Sequence, residues 1–216
     1  MNLRTLIASA FILAAPAVAS AQPGQYRGSP PPTGGYYASQ TPGGFHDRAG
    51  RLTLGVSLGL GGMKADSGPI DCAGCSFNPI TVGIAGHIGG MINHRLALML
   101  ELQANGQTIG ENDFGETATL VQGAAMFAAQ YWVTPQLWIK GGFGAASLQV
   151  SYDDYYGPAG EEQVDTGTAF LAGAGYELLS ARHYSIDLQG RLFVGSYRGI
   201  DDQITSGTIG VGMNWF

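Results

Sequence analysis

Arg51-Leu52-Thr53-Leu54-Gly55-Val56-Ser57-Leu58-Gly59-Leu60-Gly61 decides the fold: Leu52, Leu54, Val56, Leu58 and Leu60 alternate with Thr53, Gly55, Ser57, Gly59 and Gly61. A period of two gathers the large apolar side chains on one face of an extended strand, whereas a helix needs apolar spacings of three and four. The pattern recurs along the chain, with Ile80, Val82, Ile84, Ile88 and Ile92 in a second run and Leu96, Leu98, Leu100 and Leu102 in a third. Weaker runs over Thr117 to Val133, Gln136 to Tyr152, Thr166 to Leu178, Tyr184 to Ser196 and Ile204 to Phe216 bring the expected number of strands to about eight.

The connections alternate in length. Asn93-His94, Thr134-Pro135 and Ser180 to His183 are short; Ser67 to Asn78, Ile109 to Glu116 and Asp153 to Val164 are long; Arg198 to Gln203 is intermediate. An up-and-down antiparallel β-barrel in an outer membrane, with short periplasmic turns and longer external loops, has this rhythm. Composition separates that reading from a soluble barrel of the lipocalin kind, whose outer face would need many charges. Charged residues make up 12% of the 216, against about 25% in soluble domains, while hydrophobic residues reach 45% and glycine supplies 35 positions. Opposite the Leu/Ile/Val face stand mainly Gly, Ala, Ser, Thr and Gln, too small and uncharged for a soluble exterior but suited to a narrow filled lumen. The apolar face therefore points outward, to lipid.

The aromatics fit that orientation. Tyr131, Tyr176, Tyr184 and Trp215 share outward parity near the short-turn ends, as a periplasmic girdle would. Trp132 and Trp138 flank the Thr134-Pro135 turn with inward parity, which allows for a one-residue register shift there.

Ahead of the strands, Met1 to Gln22 carry Arg4, an apolar run from Leu6 to Val18 and small residues at Ala19 and Ala21, the layout of a secretory signal peptide cleaved after Ala21. Gln22 to Gly50 is rich in Pro, Gly, Tyr and Ser with no repeating apolar face, and is expected to be a disordered linker, residues 22–50, before a barrel domain of residues 51–216. The formal net charge is -6 and no Lys/Arg cluster exists to follow a phosphate backbone, so nucleic acid is not an expected partner.

The final run Thr208-Ile209-Gly210-Val211-Gly212-Met213-Asn214-Trp215-Phe216 resembles the C-terminal signal of bacterial outer-membrane barrels, with Trp215 and Phe216 as its aromatic end and Asn214 where an apolar residue is more common. That resemblance implies recognition by the barrel-assembly machinery. From Arg51 to Phe216 the chain resembles the small barrel family that includes the membrane domain of OmpA and its OmpX-like relatives. The resemblance implies a protein of the Gram-negative cell outer membrane, in contact with its lipid; with the signal peptide the chain is expected to be exported and monomeric, and since it stops at the barrel no peptidoglycan-binding domain is expected after it.

Inward parity places five charges in the lumen: Glu101, Lys140, Glu177, Asp187 and Arg191, with His87, Gln103, Gln130 and Gln189 in or near the same slab. Isolated buried charges cost several kcal/mol, so an ion-pair network is expected in which Lys140 and Arg191 bridge Glu101, Glu177 and Asp187. Cys72-Ala73-Gly74-Cys75 offers too few ligands for structural zinc, and in an exported protein it reads as a local disulfide in the first long loop. His183-Tyr184-Ser185 has the His-x-Ser spacing of one family of outer-membrane lipid A deacylases, but it falls at the periplasmic end, away from the outer leaflet. The sequence thus predicts a barrel without catalytic activity, cofactor or metal, serving envelope integrity or surface interaction. Its external loops, Asp153 to Glu162 being acidic and aromatic, would meet an extracellular protein or ligand. The alternatives are a narrow gated pore for ions or small solutes and, last, a lipid hydrolase.

Overall fold

A computed structural model describes residues 45–70, 80–111, 117–153, 160–199 and 203–216. The expected signal peptide, most of the expected linker, the Cys72/Cys75 pair and residues 154–159 of the acidic loop lie outside the described residues. Among the described residues nine strands follow in chain order: β1 (Leu52–Ala65), β2 (Gly68–Pro69), β3 (Thr81–Met91), β4 (Leu96–Glu111), β5 (Thr117–Trp132), β6 (Leu137–Asp153), β7 (Gly160–Ser180), β8 (Tyr184–Tyr197) and β9 (Gln203–Trp215). The two-residue β2 only folds back on the end of β1. The other eight run up and down in sequence order, and β9 returns to β1 from Leu54↔Trp215 to Ala65↔Ile204, closing an eight-stranded antiparallel barrel. Closure removes every sheet edge, the condition for a sheet to stand in lipid.

The two faces sort as the period of two requires. Leu54, Val56, Leu58, Ile84, Leu100 and Val211 are exposed outward, and Leu100, Phe127, Phe143 and Phe170 are successive cross-strand partners, forming an apolar belt at mid-wall. Tyr131, Tyr176, Tyr184 and Trp215 also face outward, at the end that carries the short turns. Two of those turns use one device: Asn93 Oδ1 accepts from the Arg95 and Leu96 amides (2.8 and 3.0 Å), and Thr134 Oγ1 from those of Gln136 and Leu137 (3.4 and 3.0 Å). Such side chains stand in for backbone acceptors and tighten the chain reversal.

Three observations refine the sequence reading. Trp132 and Trp138 are direct cross-strand partners, 2% and 1% exposed, so the register at Thr134-Pro135 is not shifted and both rings occupy the lumen. The ring of Trp138 lies where a Cβ on Gly175 would be, 2.3 Å from its nearest atom, which is why the neighbouring strand carries glycine there. Second, the strands outrun their apolar alternation: β4 continues to Glu111 and β7 begins at Gly160, with Gln, Asn, Thr and Glu in the added length. Above the lipid a ladder still satisfies the backbone but no longer needs an apolar outer face. Third, Phe45 to Gly50, expected to belong to the linker, pack against the barrel, and Arg48 is buried.

Candidate functional site, the barrel lumen

The lumen is filled in layers. At the periplasmic mouth Arg48 makes a forked ion pair with Glu177 (Nη1–Oε1 2.9 Å, Nη2–Oε2 3.1 Å) and donates to Ser180 Oγ (3.1 Å) and the Ala181 carbonyl (3.2 Å). Glu177 also accepts from Trp132 Nε1 at 2.8 Å and from the Ser180 hydroxyl. The terminal Phe216 ring lies 3.8 Å from the Arg48 guanidinium carbon. His46 sits beside this group, and its pKa is lowered by burial and by the Arg48 charge. Around and above the mouth an apolar layer of Met91, Ala97, Met99, Ala128, Trp132 and Trp138 is joined by Phe45 and Phe216.

Glu101 of β4 centres the next layer, where one carboxylate oxygen takes Lys140 Nζ at 3.0 Å and the other meets the Arg191 guanidinium. Arg191 also donates to Ser57 Oγ (2.9 Å) and Gln103 Oε1 (3.0 Å). Cross-strand from Glu101 stands His87, whose ring occupies the space that a Cβ on Gly55 would need. Asp187 is held by Asn214 Nδ2 (2.7 Å), which also reaches Ser185 Oγ (3.3 Å).

The outer half of the lumen is an amide chain packed beside an apolar cluster. Gln103 donates to Asn105, Asn105 to Ser206, Ser206 to Gln122 and Gln122 to the Ile204 carbonyl, at 2.7 to 3.3 Å. Thr81 donates to Gln107, which donates to the Ile70 carbonyl. Met63, Leu120, Leu148, Leu171, Phe193 and Ile204 fill the rest. A void among Ser57, Gln103, Asn105, Gln189, Arg191 and Thr208 measures about 10 Å³, room for a single water.

All five expected luminal charges are buried or nearly so and face inward, but they do not form one plug. Lys140 and Arg191 converge on Glu101; Glu177 is taken by Arg48; Asp187 is taken by an amide. Arg48 was not among the expected residues because its segment has no strand period. A signal did exist, since three acids against two bases leave the predicted cluster one positive charge short, and Arg48 supplies it. His183 and Ser185 have separate partners: His183 Nδ1 lies 3.4 Å from an exposed Arg51 nitrogen, while Ser185 is buried against Asn214.

Among solved structures, the barrel matches Ail, the attachment invasion locus protein of Yersinia pestis, in complex with the heparin analogue sucrose octasulfate. The TM-score is 0.52 at 12% identity, over 77% of this chain and 99% of that one. This chain has the fold of the small outer-membrane β-barrels. Neisserial surface protein A also matches, with a TM-score of 0.47 at 13% identity over 76% of this chain and 95% of that one. No protein-family model and no curated protein matches the sequence. The outward apolar belt, the aromatic girdle and the edge-free wall of this barrel are those of a transmembrane barrel of the outer-membrane type.

Proposed function

We propose that this chain is a non-enzymatic, monomeric barrel, exported by its N-terminal signal and inserted through its C-terminal strand by the assembly machinery. In this reading it supports the envelope with a closed lumen and meets partners at its external end. The observation that carries a closed lumen is the layering: an apolar cluster lies toward each mouth, with a charged layer locked by direct ion pairs between them. An ion would have to shed its water twice and displace a salt bridge between.

The charge of the external segments supports a cationic partner there. By sequence, Asp66, Asp71, Glu111, Asp113 and Glu116 flank the first two long connections, Asp153, Asp154, Glu161, Glu162 and Asp165 the third, and Asp201 and Asp202 the fourth. Lys64 and Arg198 are the basic residues of those stretches. A sulfated sugar of the kind bound to Ail would meet like charge here, and a polycation would be drawn in at low ionic strength.

The test joins a planar bilayer with a binding assay on protein purified from outer membranes, its folding confirmed by a heat-dependent gel shift. The expected result is a silent bilayer, with salt-sensitive binding of a polylysine probe and none of sucrose octasulfate. Steady single-channel openings would establish the pore instead, and tight octasulfate binding would overturn the cationic partner.

A further inference from the structure

Arg48 is 3% exposed although its surroundings in sequence have no strand period. Its partners come from across the periplasmic mouth: Glu177 and Ser180 at the end of β7, the Ala181 carbonyl in the turn that follows, and the rings of Phe216 and Trp132. The set is shaped for a planar guanidinium rather than for a cation in general. Two N–H groups enter one carboxylate side by side, the Nη2 donors also reach a hydroxyl and a carbonyl, and a phenyl ring lies 3.8 Å away. A lysine ammonium could satisfy the charge but not the fork or the ring contact.

The backbone around Arg48 is arranged to deliver it. The Arg48 amide donates to the His46 carbonyl and the Arg51 amide to the Arg48 carbonyl, while Gly50, at φ +73°, donates to Met91 at the end of β3. That left-handed position favours glycine and turns the chain from the mouth into β1. At the other end of the segment Phe45 is covered by Arg95 (4.0 Å) and lies near His94, both in the β3–β4 turn. The segment is thus held at both ends on the β3 side of the mouth, and between these attachment points Arg48 reaches across to the end of β7.

We propose that Glu177, Ser180, the Ala181 carbonyl, Trp132 and Phe216 form a guanidinium-binding site in the periplasmic mouth, that Arg48 fills it in cis, and that residues 45–50 are thereby a strap closing the lumen on that side. The ligand class is an arginine side chain or another alkylguanidinium. Arg48 also lies over the ring of Phe216, the residue that follows the closing strand β9.

Trypsin reads the strap directly, because cleavage after Arg48 requires its side chain to leave the site. In protein purified from outer membranes, the Arg48–Ala49 bond is expected to be cut at least about tenfold more slowly than in heat-denatured protein, and Glu177→Gln, still heat-shifting on a gel, is expected to abolish that protection. Equal protection in the two folded proteins would overturn the strap. A second arm uses Arg48→Ala. Millimolar methylguanidinium should raise its thermal midpoint toward that of the parent, methylammonium should not, and Arg48→Lys should fall short of the parent. Equal effects of the two cations would overturn the guanidinium site, and this arm decides the matter if Glu177→Gln does not fold.

Discussion

The lumen holds two ion clusters built on opposite principles. In the middle, two cations share one carboxylate, so Lys140, Arg191 and Glu101 carry a local excess of positive charge that Asp187 offsets from nearby. At the mouth, one cation and one carboxylate match each other, with an indole N–H, a hydroxyl and a carbonyl completing the set. The central cluster depends on a single anion that no water can easily replace. The mouth cluster is rich in hydrogen bonds, with Arg48 Nε left without one, but stands next to the periplasm. The mouth pair is neutral by itself, whereas the central trio reaches balance only with Asp187, so that Arg48, Lys140 and Arg191 face Glu101, Glu177 and Asp187 over the whole lumen.

That contrast can be broken most sharply at Glu101. Glu101→Gln strands two buried cations and should lower the unfolding free energy by about 3–5 kcal/mol, measured by urea titration of the vesicle-inserted barrel. Glu177→Gln should cost only about 2 kcal/mol, because Arg48 can turn to water. Equal losses would mean that the two clusters are not energetically distinct. A smaller change is expected at Lys140: Lys140→Met leaves Glu101 paired with Arg191 and should cost about 1 kcal/mol. A loss as large as that of Glu101→Gln would show the two cations to be jointly required.

The smallest effect belongs to His46. Burial, followed by the Arg48 charge, lowers its pKa below the ordinary 6.5, against an opposing pull from Glu177 and the Ser180 backbone. The free strap therefore takes up a proton before the docked one does. Docking is strongest above the ordinary value and weakens as pH falls below it, so trypsin cleavage after Arg48 should rise modestly between about pH 7 and pH 5. His46→Asn should flatten that dependence, and an unchanged profile would remove His46 from the strap.

Residues that obey the strand period were legible in the sequence. Parity alone assigns Glu101, Lys140, Glu177, Asp187 and Arg191 to the lumen and Tyr131, Tyr176, Tyr184 and Trp215 to the wall, because one step along a strand reverses the face. Partner choice was not legible, since it depends on shear and on what the neighbouring strand leaves open. Asp187 finds Asn214 because Gly212, its cross-strand neighbour, vacates the space: a Cβ there would lie 2.6 Å from the carboxylate. That also gives a structural use to Asn214, the residue that departs from the usual terminal pattern. Strand ends above the lipid escaped for a different reason, as alternation fades once the outer face meets water while the ladder continues. Arg48 escaped because a segment held by one inserted side chain has no period to detect.

The unequal strands have a consequence for how the molecule stands on a cell. Crossing the bilayer takes about ten tilted residues, yet β7 has 21 and β6 has 17, whereas β3 has 11. With the aromatic girdle fixing the inner end, the surplus of β7 rises on the outer side, on the order of 25 Å after allowance for tilt. The described wall is thus of uneven height. On the outer side β7 carries Glu161, Glu162 and Asp165 beyond the lipid, whereas the strand β3 has scarcely more residues than the crossing takes. Among the described residues the ladder of β6 and β7 stands farthest beyond the lipid, so the rim of the wall is unequal around its circumference.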